Sequence, residues 1–110
     1  MIAHLLLAAL GTVDPARALG QCLENEQRDT PRVECYVPAI ASERARIAAA
    51  LPGAVANHGS AVVEAHSAWQ AFVDRKCKIT LGAGGGSEQI AACWLGESRR
   101  HADWLEDAAF

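Results

Sequence analysis

The residues of this 110-residue chain best equipped for chemistry are four cysteines, Cys22, Cys35, Cys77 and Cys93, and three histidines, His58, His66 and His101. Thiols and imidazoles together suit zinc, but structural zinc sites collect their ligands as close pairs about two to four residues apart. No two cysteines here are so close, which also excludes a thioredoxin-like redox pair. No metal and no cofactor is expected. The cysteines stand 13 positions apart in the first half and 16 apart in the second, each pair flanking a turn or loop. The simplest use is two local structural disulfides, Cys22 with Cys35 and Cys77 with Cys93, each stabilising by roughly 3 kcal/mol in the chain-entropy model. Other connectivities stay open, because antiparallel first and second helices would bring Cys35 and Cys77 to the same end.

Ser60, Ser67, Ser87 and Ser98 are candidate nucleophiles and the histidines candidate bases. No nucleophile elbow, paired-histidine zinc motif or close acid pair orders them into a site, so no enzyme is expected. The run from Gly82 to Ser87, with Gly84 and Gly85 at its centre, resembles a phosphate-cradling loop only in composition. A phosphate loop ends in Lys and Ser or Thr after a strand. Here Glu88 follows Ser87, and an acid at a helix start supports the helix while repelling phosphate. The net charge of -3, with ten basic residues scattered among thirteen acids, offers no basic stripe for nucleic acid. A cationic protein partner is compatible with that charge.

The elements that must position these residues are all helices. The apolar run Leu5–Leu10, then Asp14-Pro15 and the small residues Ala18 and Gly20, reads as a secretory signal over residues 1–20, cleaved before Gln21; because no Lys or Arg precedes the run, an ordinary apolar N-terminal helix is the alternative. It is too short to span a bilayer, so no membrane insertion is expected after cleavage. Residues 21–110 then form one small domain, periplasmic or secreted, in which cross-links compensate for a modest core. Thr30-Pro31 starts a first helix. Val33, Val37, Ile40, Ile47 and Leu51 share its inner face, Pro38 implies a kink or a fresh start, and Leu51-Pro52-Gly53 implies the end. Ser60 to Lys78 forms a second helix with an apolar stripe of Val62, Ala65, Trp69, Phe72 and Val73. Ser87 caps a third, whose inner face holds Ile90, Trp94, His101 and Leu105, with Cys93 and Trp104. His66 and His101 fall on or beside inward faces, where a satisfied, half-buried imidazole is the ordinary outcome. The three tryptophans read as core residues, with one left partly exposed as a binding anchor. The fold class is all-α: a helical hairpin plus one helix, stapled by two disulfides.

One stretch carries a resemblance. Trp69, Phe72 three on, Asp74 five on and Cys77 eight on, followed by Gly85-Gly86-Ser87, Cys93, Ser98 and Leu105, resemble the LprI-type lysozyme-inhibitor family of small exported bacterial proteins. An earlier cysteine pair matches Cys22 and Cys35, and the resemblance spans most of residues 21–105. His66, Val73 and His101 stand where the family usually has glutamine, arginine and arginine, so if those residues form a buried polar network in the family, this chain has either replaced it with histidines and apolar packing or lost what it supports. The resemblance implies an exported protein that binds a protein partner, a lysozyme, and blocks its cleft. Lysozyme catalysis depends on two carboxyl groups, so an inhibitor needs donors on a protruding loop. The candidate is the tethered segment from Lys76 to Ser87, with Lys76 and Lys78 as cations and Gly84, Gly85 and Ser87 as the close-approach surface. The alternative is a structural or adaptor domain of the cell envelope without lysozyme affinity.

Overall fold

The computed structural model describes residues 14–82 and 86–110. Four helices follow in order: α1 (Pro15–Asn25), α2 (Asp29–His58), α3 (Ser60–Gly82) and α4 (Ser87–Ala108), and no strand occurs among the described residues. The all-α expectation holds, and so does the local pairing: Cys22 joins Cys35 and Cys77 joins Cys93, with Cα atoms 5.8 and 5.6 Å apart. These separations suit disulfides without backbone displacement.

α1 opens with Asp14 Oδ1 accepting the Ala16 N–H at 3.1 Å and Pro15 in the first turn, where its missing donor costs nothing. The apolar run of the expected signal lies outside the described residues. The cleavage position falls within α1, whose half-buried Leu19 and Leu23 pack against Tyr36, Ala39 and Leu95.

α2 corrects the expected stop at Pro52 and, of the two alternatives at Pro38, the fresh start. Pro38 starts no new helix, and Pro52 does not end one; both lie within a continuous helix of 30 residues. Each proline removes one N–H and crowds the carbonyl four residues back, at a cost of about 3 kcal/mol in a helix interior. Both rings lie on the exposed side, where displaced carbonyls can turn toward water. The opposite side buries Ala39, Glu43, Ile47, Ala50 and Ala54, at spacings of four, four, three and four, and this burial keeps the helix whole. The start also shifts. Arg28 occupies the cap position and Pro31 sits inside the first turn. The end is made by Gly59, whose φ of 67° lies in the left-handed region and whose N–H donates to Val55 O at 2.7 Å. This single residue separates α2 from α3.

The third helix runs one turn past the expected end at Lys78, and Gly84 and Gly85 lie outside the described residues. At the start of α4 the cap is Gly86 and not Ser87, because Gln89 Oε1 reaches back to accept the Gly86 N–H at 2.8 Å. α4 then packs on both α2 and α3. One apolar cluster joins Ile47, Ala50 and Ala54 of α2 to Val62 of α3 and Ala102 and Leu105 of α4. A Cβ on Gly53 would stand 3.2 Å from Ala109 Cβ, so the position after Pro52 serves close packing against the chain's end and not a turn.

Candidate functional site

Two places on α3 combine unusual groups: the cleft it forms with α2 and α4, and its outer edge near Cys77. In the cleft, His66 Nδ1 of α3 lies 2.8 Å from His101 Nε2 of α4. One nitrogen donates and the other accepts, so at least one of the two rings is neutral. His101 is held neutral. Burial, followed by the nearness of His66, brings its pKa down to about 4. The Trp69 ring stacks on His101 at a centroid distance of 4.0 Å and 3° between planes, and Trp104 lies 5.6 Å from His101 on a looser stack. His66 is half-buried and His101 buried, as the inward helix faces implied, and the two rings meet in space. Val73 is fully buried as apolar packing.

Beside this stack opens a cleft of about 510 Å³, walled by α2 residues that include Arg44 and Ile47, by His66, Trp69 and Asp74 of α3, and by Trp94 and Ser98 of α4. Trp69 Nε1 and Ser98 Oγ are buried with no hydrogen-bond partner. Ser98 therefore makes no hydrogen bond to a histidine, and its hydroxyl is not activated as a nucleophile. Among the described residues no three of His, Cys, Asp and Glu converge as a metal site, and no cysteine is free.

The outer edge holds the residues read as an inhibitory segment. Lys76 Nζ pairs with Glu97 Oε1 at 2.6 Å and lies 5.7 Å from the centroid of the Phe72 ring. Glu97 is buried on α4, and its pKa is lowered chiefly by the hydrogen bond from Lys76, against the opposing effect of burial. Lys78 Nζ pairs with Asp74 Oδ2 at 3.0 Å, one helical turn back. Both lysines thus already face carboxylates of their own chain. Ser87 is exposed in the first turn of α4.

Two members of the expected α3 stripe turn outward: Phe72 is 57% exposed and Ala65 is exposed, while Val62 and Val73 are buried. Trp69 is half-buried and Leu105 fully buried. On α4, Trp104 is 44% exposed, and the inward face consists of Leu95, Glu97, Ser98, His101, Ala102 and Leu105. The full burial of Ser98 was not visible in sequence, since an isolated serine in a polar run carries no signal of burial. Its position three before His101 on one helix face was the clue available. Val37 of α2, expected on the inner face, is 62% exposed beside Pro38.

No protein-family model, no curated protein and no solved structure matches the chain.

Proposed function

We infer that this is an exported, non-enzymatic protein-binding domain of the cell envelope whose target is a lysozyme. The observation that carries protein binding is the outer edge of α3. Phe72 and Ile79, seven residues apart on one helix face, are 57% and 69% exposed, with Lys76 between them. The edge adjoins Cys77, fully buried in its disulfide to Cys93, so it is fixed in place before any partner arrives. An aromatic and an aliphatic anchor on a rigid element have the composition of an interface hot spot. Because Lys76 and Lys78 are engaged with Glu97 and Asp74, apolar contact leads and the cations act at the rim. The resemblance of the second half to LprI-type inhibitors supplies the target. Export is supported by the two disulfides.

The test is lysis of a cell-wall suspension by several lysozyme types, followed by turbidity with excess oxidised protein. Inhibition of at least one type is expected. Phe72→Ala should weaken it by roughly tenfold or more while leaving the thermal transition in place, since truncating an exposed anchor affects binding and not the core. Unchanged lysis with every type would sink the lysozyme assignment and leave an adaptor role. Full potency in Phe72→Ala would move the interface elsewhere.

A further inference from the structure

The three arginines of α2 differ in one respect. Arg32 bonds Glu88 at 2.6 Å, and Arg46 is held by Glu43, Asp103 and Glu106. Arg44 makes no ion pair among the described residues; its guanidinium lies 6.0 Å from the centroid of the Trp94 ring, on the wall of the cleft. Two further donors belong to residues of the same cleft. Ser98 is 1% exposed, and its Oγ, like Trp69 Nε1, has no partner. Buried donors without acceptors are costly and rare, and an acceptor brought in from the cleft is one way to satisfy them. The cleft, at about 510 Å³, is the size of a small-molecule site, and two indoles offer it flat apolar faces. Asp74 is the opposing feature, an acid on the α3 wall, but Lys78 balances it at 3.0 Å.

We propose that this cleft binds a small carboxylic acid carried on a ring, the ring against Trp69 and Trp94 and the carboxylate on Arg44, with a small movement of the walls bringing its acceptor atoms to the buried Ser98 Oγ and Trp69 Nε1. A guanidinium over an indole is presented for such recognition, since its fork matches a carboxylate while its face stacks. The ring is aromatic or a pyranose, because an aromatic plane and the C–H face of a pyranose chair both pack on indole. This site goes beyond the envelope function above and does not rest on it, since it occupies the inner side of α3 and not the outer edge.

The experiment uses the full oxidised chain, labelled with nitrogen-15, with the three indole N–H resonances assigned by single Trp→Phe variants. The probes are indole-3-acetate and glucuronate, each against a neutral counterpart, indole-3-acetamide and glucose. At least one acid should shift the Trp69 resonance saturably and bind roughly tenfold or more tighter than its neutral counterpart, as an arginine–carboxylate contact implies. Which acid does so identifies the ring. Arg44→Gln, at an exposed position, should abolish the preference for acid over neutral, and Ser98→Ala should weaken the acid by about threefold to tenfold. The proposal is overturned if no acid shifts Trp69 up to about 10 mM, or if the shifts are confined to Trp104. Equal binding of acid and neutral probe, or unchanged binding in both variants, overturns it as well.

Discussion

The two seams that α4 makes with its neighbours are built differently. Along α2 the contact is continuous: Ile47, Ala50 and Ala54 meet Ala102 and Leu105, and ion pairs lie along its length from Arg32–Glu88 through Arg99–Glu43 to Arg46–Glu106. Along α3 the contact is made at discrete points: Val62 near the start, the His66–His101 bond, the Lys76–Glu97 pair, and the Cys77–Cys93 disulfide near the end. The first seam is held by distributed burial, which no single polar change undoes. The second depends on a few specific links, and the space left beside them is the cleft. In a small chain a concave site is obtained by packing one helix incompletely and restraining it by other means.

The largest effect should come from breaking the continuous seam. Leu105→Ala, at a fully buried position, should cost about 3 kcal/mol by chemical denaturation, against about 1.5 kcal/mol for Val73→Ala at the α3 seam. Equal costs would mean that α3 is as much a part of the core as α2. Replacing Cys77 and Cys93 together by alanine should cost on the order of 3 kcal/mol and speed hydrogen exchange along α3 ahead of α2. The same replacement of Cys22 and Cys35 should release mainly α1, a helix with no fully buried residue. Uniform loss of protection after either change would erase the distinction between the seams.

A third effect is set by pH. His101 titrates in the fold at about 4, below its ordinary 6.5, so the unfolded chain takes up the proton first. The stability it contributes is complete above about pH 6.5, declines from there to about pH 4, and loses nothing more below. The loss should reach about 2 kcal/mol after allowance for solvent screening. Urea midpoints at pH 7, 5 and 4 should show this decline in the native chain and a smaller one in His101→Phe. The smallest effect belongs to the surface: Lys78→Ala, which breaks an exposed pair with Asp74, should change stability by less than about 0.5 kcal/mol.

The helical class and the local disulfides were legible because they depend on near neighbours in the chain: apolar spacing, caps, and cysteines flanking loops. The fate of Pro38 and Pro52 was not. Local rules price a proline inside a helix, but whether burial on the other side exceeds that price depends on α4, more than 30 residues away. Phe72 was misread for a related reason. Its spacing fits the stripe with Val62, Trp69 and Val73, yet a stripe wider than the seam leaves one flank outside, and sequence does not state the width of the partner. The histidine pair was half legible: each ring falls on an inward face by periodicity, but their meeting requires the relative register of α3 and α4. Among the described residues that register is fixed by the disulfide.

Gly59 and the Cys77–Cys93 bond give α3 two fixed points, a one-residue pivot at its start and a covalent anchor near its end. A rod held at both ends can bow but cannot swing, so the spacing between the cleft walls is set by its two extremities together with the His66–His101 and Lys76–Glu97 contacts between them. Reduction removes the covalent anchor and leaves the pivot and those contacts. The same helix then turns more easily, and the outer edge and the inner cleft, which share its two sides, move together when it does.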